Sequence, residues 1–360
     1  RDGRPYRNRS AAATQRQPIC TSRSEQADRR APYSSWHRWV GSEELEEPIR
    51  DRQPSLKTAC AVGHSVTRRP NNRRPLDITK KINAGDKAMG LFEGKRGLIM
   101  GVANDRSIAW SIAQEIMNQG GQCGFTHLPD RADDEKQRNR ARVEKCTSTH
   151  PNAKFLTPMD VQRDDDLTRV AEVVAREFGT IDFLLHSIAF AKTEDLKLDT
   201  IDSSRDGFAL AMDVSVYSLI ATCRALRPLM NPKAAVCCMT YLGGEKCVPG
   251  YNVMGICKAA LDATTRYLAH DLGPQGIRVN AISAGPVYTL AGSAAGVKEM
   301  LAVYEGMSPL GRNITNEELG KTGAFLLSNM SDGITGEILH LDCGFSTMGS
   351  PGRLAEKMRR

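Results

Sequence analysis

Short apolar runs alternate with amphipathic helical patterns along most of the chain. The first run covers 97–100, and after it Ile108, Ile112 and Ile116 recur every four residues, as on one face of a helix. The same alternation predicts strands at 122–127, 154–161, 181–186, 235–241, 277–283 and about 337–342, and helices at 165–178, about 204–229 and about 251–272. Strands joined by such helices need crossover connections. The pattern therefore predicts one doubly wound α/β domain over 89–350, with a parallel sheet, helices on both faces and a C-terminal tail at 351–360.

Residues 1–88 lack this periodicity and are rich in Arg, Pro, Ser and Gln. Such a composition buries too little apolar surface to offset the entropy of ordering, so we expect a disordered N-terminal extension. It has no apolar signal-peptide core, and the acidic run at 43–47 is unlike a transit peptide. Met89 is the first methionine and stands just before the first predicted strand. We therefore expect translation to start at Met89 and the extension to carry no function of its own.

The positive charge of the chain is confined to this extension. The whole chain carries a net charge of +7, but residues 1–88 hold 19 basic and 10 acidic residues, and the other 272 hold 30 and 32. The basic excess is therefore no sign that the folded part binds nucleic acid. No uncharged stretch approaches the ~18 apolar residues of a membrane span. The sequence predicts neither nucleic acid nor membrane as a partner.

The ten cysteines show no C-x-x-C spacing with partner histidines, which predicts that no metal is bound. Cys123, Cys237 and Cys238 stand in apolar strand-like runs, where a free thiol behaves as a small buried apolar group. With no signal peptide in view, we expect a reducing, cytoplasmic compartment.

Residues suited to chemistry follow the predicted strands, at the end where open parallel sheets bind ligands. Gly101 follows the first strand, and Ser107 and Ile108 open the first helix. A glycine turn before a helix N-terminus suits a pyrophosphate, although one glycine also fits an ordinary strand-to-helix turn. After the sixth strand, Gly285-Pro286 forces a turn that can bring backbone against a ligand.

Tyr251 and Lys258 stand seven residues apart in a predicted helix. Seven steps of about 100° return to within about 20° of the start, so both side chains are expected on one face. A nearby ammonium would lower the pKa of the phenol and make it a proton donor near neutral pH. The alternative is a core tyrosine and an exposed lysine that share a face by chance. Spacing alone favours this alternative, because such a short spacing is common, whereas the position after a strand of a doubly wound sheet leaves both open.

The stretch from about 89 to 348 resembles the NADH-dependent enoyl-[acyl-carrier-protein] reductases of the short-chain dehydrogenase/reductase superfamily. The resemblance rests on segments that occur in order: Gly101-x5-Ser107-Ile108-Ala109, His186-Ser187-Ile188, Tyr241-Leu242-Gly243, Tyr251-Asn252-Val253-Met254-Gly255-x2-Lys258-Ala259, Arg278-Val279-Asn280-Ala281-Ile282-Ser283-Ala284-Gly285-Pro286 and Thr335-Gly336-Glu337. It implies a Rossmann-type fold. It also implies transfer of a hydride from NADH to the β-carbon of a trans-2-enoyl thioester, the last step of each fatty acid elongation cycle.

The resemblance further implies roles for individual residues. Tyr251 would donate to the thioester carbonyl oxygen, Tyr241 is the second catalytic tyrosine, and Lys258 would bind the nicotinamide ribose. The cofactor would be held by Gly101, Ser107, Ile108, Leu128, Asp160, Val161, Ile188, Lys258, Val287, Thr289, Leu290 and Ala291, and the substrate by Ala191, Tyr241 and Tyr251. Residues 289–307 would form a mobile flap over the acyl chain. Acyl carrier protein would deliver the substrate to a homotetramer.

The choice between NADH and NADPH depends on the loop after the second strand. An acidic residue there usually selects NAD by binding the ribose 2′-hydroxyl. Here Leu128 stands where relatives often have a polar residue, Asp130 is the nearest carboxylate, and Arg131 beside it would suit a 2′-phosphate. The resemblance predicts NADH, and this loop leaves NADPH open.

Three other functions fit the sequence less well. A ketone or 3-oxoacyl reductase of the same superfamily uses Tyr-x3-Lys with a serine about thirteen residues earlier, and here those places hold Gly255 and Cys238. A non-catalytic dinucleotide sensor would have no use for Tyr241, Tyr251 and Lys258. A nucleic-acid-binding function rests on the basic extension alone.

Overall fold

The strands of the folded part lie in one parallel sheet. The computed structural model describes residues 90–288 and 297–358. Within them seven strands pair in the order β3-β2-β1-β4-β5-β6-β7, each pair parallel. Their bounds are β1 Arg96–Met100, β2 Gln122–His127, β3 Ala153–Pro158, β4 Ile181–His186, β5 Met230–Thr240, β6 Arg278–Ala284 and β7 Ile338–Leu341. This confirms the predicted doubly wound, Rossmann-type α/β class.

Helices connect the strands. They are α1 Ile108–Asn118, α2 Arg138–Thr147, α3 Asp164–Phe178, α4 Thr193–Leu196, α5 Arg205–Met212, α6 Ser218–Leu226, α7 Asn252–Leu272, α8 Val297–Met307, α9 Asn316–Leu327 and α10 Arg353–Met358. A π-helical turn, Asp213–Tyr217, joins α5 to α6 and makes one long helix of the two. This long helix agrees with the predicted one at about 204–229.

The core has two layers because the helices cover both faces of the sheet. Side chains of β1 alternate between the layers: Leu98 and Met100 pack on one face and Ile99 on the other. The layer with Ile99 includes α1 and α9 through Ile112, Ile116, Leu319 and Leu326, and the other includes α3, α6 and α7 through Val174, Leu219 and Leu261. Each layer is closed by apolar faces that the helical periodicity had indicated.

The strand order reverses between β1 and β4, the central pair of the sheet. Met100 and His186, the last residues of these strands, lie side by side in the register. Connections from β1 and β4 leave in opposite directions along the sheet, so a crevice opens at their carboxyl ends. We therefore expect a ligand at this point of the sheet.

The predicted strands are confirmed, with shifted ends in two of them. β3 ends at Pro158 rather than 161, and β5 begins at Met230 rather than 235. The early part of β5 contains Pro232 and the left-handed Lys233 (φ 68°), which conceal a strand from pattern analysis.

Five helices were missed: α2, the short α4, α8, α9 and α10. In α2, only Val143, Cys146 and Thr147 are buried, so its apolar period is weak. In α9 glycine occupies the packing face: a Cβ at Gly323 would lie 2.6 Å from the side chain of Ile112. Gly320 and Gly323 let α9 approach α1 closely, but they remove the apolar side chains whose spacing would have predicted a helix. The predicted C-terminal tail contains the short helix α10.

One helical stretch, Arg205–Leu229, is long and apolar enough to cross a membrane by length and composition alone. More than half of its most apolar part is buried inside the fold, as in the core helix of a globular protein, so this is weak evidence for a span. The expectation that no membrane is bound stays a prediction.

Several expectations lie outside the described residues. They concern the extension at 1–88, the start at Met89, the cofactor residues Thr289, Leu290 and Ala291, and the beginning of the proposed flap. The described part of that flap, 297–307, is helical.

Arg278 fastens β6 to the end of α9. The residue is 6% exposed, and its Nη1 donates to the Leu326 carbonyl (3.1 Å) and the Ser331 hydroxyl (2.8 Å). Its Nη2 donates to the Ser328 carbonyl at 2.7 Å. The guanidinium thus satisfies carbonyls that the end of a helix leaves unpaired.

We expect Arg278→Met to lower the free energy of unfolding by about 3 kcal/mol, because it leaves buried acceptors without a donor. The matched control is Arg176→Met on α3, whose side chain is 67% exposed, and it should change stability by less than about 0.5 kcal/mol. Urea unfolding followed by circular dichroism measures both. Equal, small effects would show that Arg278 does not hold this junction.

Candidate active site

The predicted site residues that the structure describes come together along one edge of the sheet. Each follows the carboxyl end of a strand, and six strands contribute: Gly101, Ser107 and Ile108 after β1, Leu128 after β2, Asp160 and Val161 after β3, Ile188 and Ala191 after β4, Tyr241, Tyr251 and Lys258 after β5, and Val287 after β6. This is the edge where open parallel sheets bind ligands.

Gly101 allows the loops after β1 and β4 to touch. Its φ is +96°, and a Cβ there would lie 1.9 Å from the carbonyl oxygen of Ser187. No other residue type fits both the conformation and the space. Since Ser187 also donates its N–H to the Met100 carbonyl (3.2 Å), the floor of the crevice at this point is bare backbone.

Ser107 shapes the turn before α1. Its hydroxyl accepts the N–H groups of Ala103 (2.9 Å) and Asn104 (3.0 Å) rather than capping the helix it precedes. The first turn of α1 therefore keeps amides that a phosphate can bind, with the positive end of the helix dipole behind them. Together with the Gly101 turn, this fits the pyrophosphate of a dinucleotide.

The loop after β2 offers no free carboxylate near its start. Both oxygens of Asp130 accept backbone N–H groups at the beginning of α2, from Asn139 (2.6 Å) and Arg140 (3.2 Å). Leu128 is 61% exposed beside it. Both oxygens of the Asp130 carboxylate are therefore occupied by the N-terminus of α2. This does not support the NAD-selecting role considered for Asp130.

Asp160 and Val161 differ in exposure. The Asp160 carboxylate accepts the Gln162 N–H (3.0 Å), and its own N–H donates to Asp166 (2.9 Å). The Val161 side chain belongs to the core, so any adenine contact of Val161 would come mainly from its backbone.

The loop after β4, which carries Ile188 and Ala191, is clamped by the π-helical turn. Ser215 is fully buried there, and its hydroxyl accepts the Phe190 N–H (3.0 Å) and donates to the Phe190 carbonyl (3.2 Å). One hydroxyl thus fixes the backbone between Ile188 and Ala191. π-helical turns are often found at functional sites.

Tyr241 and Tyr251 meet edge to face at the end of β5. Their ring centroids are 4.8 Å apart and the planes are inclined by 71°. Gly243 makes room for this contact, since a Cβ there would lie 2.5 Å from the Tyr251 ring. A cavity of about 340 Å³ opens beside Tyr251, lined by the loop at 243–248, the first turns of α7 and Thr200.

The expected effect of Lys258 on Tyr251 is wrong. Tyr251 stands just before α7 and not inside it, and burial and the nearby Tyr241 raise its pKa above the ordinary value of a phenol. The Lys258 charge instead acts to lower the pKa values of two buried groups, His186 and Cys238. Tyr251 therefore stays protonated at neutral pH and is a hydrogen-bond donor.

Lys258 is 6% exposed, and its ammonium donates to the Met239 carbonyl at 2.7 Å. Burial lowers its pKa, and the nearby Cys238, Cys257 and Asp262 oppose this shift. An ammonium has three donors, so Lys258 keeps capacity for ligand hydroxyls. Beside it, burial and the Lys258 charge lower the pKa of His186 to about 3, so this imidazole is neutral.

Residues from the C-terminal part of the chain cover the tyrosine pair, and they were not predicted from the sequence. Tyr304 on α8 donates its hydroxyl to the Tyr241 oxygen at 3.0 Å and stacks on Phe345 at 3.7 Å between ring centroids. The Tyr241 hydroxyl in turn donates to the Met300 sulfur at 3.5 Å. The spacing of Met300, Tyr304 and Met307 fits one helix face, and this was the available signal.

Known proteins resemble this chain both in sequence and in structure. The sequence model of the family described as Enoyl-(Acyl carrier protein) reductase matches residues 101–346. The enoyl-[acyl-carrier-protein] reductase [NADH] FabI of Nostoc sp. is 44% identical over 260 residues, which are 71% of this chain and 98% of the relative.

Two solved structures are similar throughout their length. The enoyl-(acyl-carrier-protein) reductase of Anaplasma phagocytophilum, in complex with NAD, is 41% identical, with a TM-score of 0.68 over 72% of this chain and 97% of that one. The Bacillus cereus enoyl-acyl carrier protein reductase, with NADP+ and indole naphthyridinone, is 43% identical, with a TM-score of 0.68 over 73% of this chain and 100% of that one. This chain therefore belongs to the NADH-dependent enoyl-[acyl-carrier-protein] reductase family of the short-chain dehydrogenase/reductase superfamily.

Proposed function

We propose that the chain is an enoyl-[acyl-carrier-protein] reductase that reduces trans-2-enoyl thioesters with NADH, in the last step of each fatty acid elongation cycle. The observation that carries the proposal is the pair of tyrosines, Tyr241 and Tyr251, in edge-to-face contact at 4.8 Å at the carboxyl end of β5. Lys258 lies on α7, which begins immediately after Tyr251.

The residues present fit the cofactor. The Gly101 turn and the uncapped start of α1 suit the pyrophosphate, and Lys258 has donors for the ribose hydroxyls of the nicotinamide end. Leu128, Asp160 and Val161 would border the adenosine, and Ile188, Val287, Thr289, Leu290 and Ala291 the nicotinamide. When bound, NADH supplies the hydride that adds to the β-carbon.

The tyrosines would stabilise the charge that this addition creates. Negative charge builds on the thioester oxygen as an enolate forms, and a donor aimed at that oxygen lowers the barrier. Burial raises the pKa of Tyr251, so its hydroxyl holds its proton and donates. Tyr241 would be the second donor at the same oxygen, and Ala191 would lie along the acyl chain.

A 3-oxoacyl or ketone reductase is less favoured by the geometry. The place of the serine such enzymes need is taken by Cys238, which is fully buried in β5 with its sulfur 3.3 Å from the Thr265 hydroxyl. Its thiol faces the core beneath the site, and its pKa is raised to about 11 by burial. It does not replace a hydroxyl aimed at a substrate carbonyl.

We propose acyl carrier protein as the carrier of the substrate and the cytoplasm as the place of action. The eight cysteines of the described residues are all free, as in a reducing compartment. The folded domain would run over 89–350, with 1–88 as an extension.

We also propose that the active form is a homotetramer. Large apolar side chains are exposed on α5, on the π-helical turn that follows it, on α6 and on α7: Phe208, Tyr217, Ile220 and Ile256, each between 37% and 42% exposed. Such side chains on neighbouring helices favour contact with another subunit.

The function is tested by NADH oxidation with crotonyl-CoA and, in parallel, acetoacetyl-CoA. We expect turnover with the enoyl thioester only, and faster with NADH than with NADPH. The assay measures the loss of reduced-nicotinamide absorbance, and the saturated product is identified by mass spectrometry. Turnover of acetoacetyl-CoA alone would favour the ketone reductase.

Tyr251→Phe and Lys258→Met should separate catalysis from cofactor binding. Tyr251→Phe removes one donor and should lower kcat by up to about 10²–10³-fold, less where Tyr241 substitutes, with the Kd for NADH unchanged. Lys258→Met keeps the bulk but loses the ribose bonds, so it should raise the Kd and lower kcat as well. Fluorescence titration and steady-state rates measure the two effects. If Lys258→Met binds NADH normally, the assigned roles are wrong.

The assembly is tested by sedimentation velocity. The wild-type chain should sediment as a tetramer, and Ile220→Glu should give smaller species because it places a charge in an apolar contact. Monomeric wild-type protein, or an unchanged tetramer in Ile220→Glu, would contradict the proposed face.

A further inference from the structure

Tyr304 lies outside the sequence motifs and yet contacts the tyrosine pair. It is 4% exposed on α8, and its hydroxyl donates to the Tyr241 oxygen at 3.0 Å. The two residues are 63 positions apart in the chain. A buried hydroxyl-to-hydroxyl bond of this kind has a direction, and the direction matters for what Tyr241 can do.

Each phenol has one proton to donate. The Tyr304 hydroxyl donates its hydrogen bond to the Tyr241 oxygen, so the hydroxyl hydrogen of Tyr241 must point elsewhere. It points to the Met300 sulfur at 3.5 Å, a thioether that is a weak acceptor. A thioester carbonyl, and still more an enolate oxygen, would be a stronger acceptor for the same proton.

Donation by Tyr304 also makes Tyr241 a better donor. A phenol that accepts a hydrogen bond is polarised, and bonds in a chain strengthen one another where the dielectric constant is low. In agreement with this, the Tyr304 hydroxyl opposes the rise that burial causes in the pKa of Tyr241.

The Tyr304 ring is held without help from its hydroxyl. It stacks on Phe345 with an angle of 9° between the planes. The segment that carries Phe345 is fixed by the Asp342 carboxylate, which accepts the N–H groups of Gly344 (2.9 Å) and Ser346 (2.7 Å). Phenylalanine at position 304 should therefore keep the packing and lose only the hydrogen bond.

We infer that Tyr304 is a positioning residue for the reduction, which orients the Tyr241 hydroxyl toward the thioester oxygen and strengthens it as a donor. The inference rests on the proposed function. Tyr304 acts through Tyr241, so its effect on the rate should exist only while the Tyr241 hydroxyl is present.

A double-mutant cycle tests this with crotonyl-CoA and NADH. Tyr304→Phe should lower kcat and kcat/KM together, by roughly three- to tenfold, the effect of one neutral hydrogen bond. In the Tyr241→Phe background the same change should cause no further loss. The Kd for NADH should be equal in all four proteins. The matched control is Tyr267→Phe on α7, a residue 75% exposed, which should leave kcat unchanged.

Three results would overturn the inference. One is an equal loss in both backgrounds, which indicates a packing role. Another is full activity of Tyr304→Phe when Tyr241→Phe is impaired. A third is slower turnover with 3-fluorotyrosine at position 304 than with tyrosine, because the fluorinated phenol is the stronger hydrogen-bond donor and should raise the rate. This variant keeps the phenol ring, so it tests the inference even if Tyr304→Phe misfolds. An inactive wild-type chain would refute the proposed function itself, before the cycle begins.

Discussion

The common direction of the strands is the constraint on which the site depends. Because the described strands are all parallel, their carboxyl ends meet along one edge, and residues far apart in the chain come together there. The reversal of strand order between β1 and β4 opens the crevice, and Gly101 keeps its floor low enough for a ligand. Arg278 serves the same edge indirectly, since it anchors the start of the strand that leads to Val287.

Burial determines the chemistry that this edge can perform. It raises the pKa values of Tyr241 and Tyr251 and lowers those of Lys258 and His186. The tyrosines consequently remain donors and His186 remains uncharged. In surroundings that exclude water, a fixed donor stabilises a developing oxyanion far better than it would in solution. This edge of the sheet therefore presents oriented neutral hydroxyls beside one buried ammonium.

The site is also closed from the C-terminal side. Tyr304 and Phe345 pack over Tyr241, and Lys246, in the loop beside the cavity, donates to the Ser346 carbonyl at 2.7 Å. The β5 loop and the segment after β7 thus support each other. The tyrosine pair is positioned by contacts from both ends of the fold, and not only by the strand that carries Tyr241.

The sequence alone determined the fold class, the strands and the family, because alternating burial leaves a local period and the motifs occur in order after the strands. It did not reveal α2 or α9, where charge and glycine replace the apolar face. It also misjudged the pKa of Tyr251, because a pKa depends on burial and on neighbours that spacing does not specify. Only the tertiary structure showed that Tyr304 donates to Tyr241 and that the Asp130 carboxylate accepts backbone N–H groups at the start of α2. Periodicity records that a side chain faces inward, whereas the packing of distant elements decides which group it meets there.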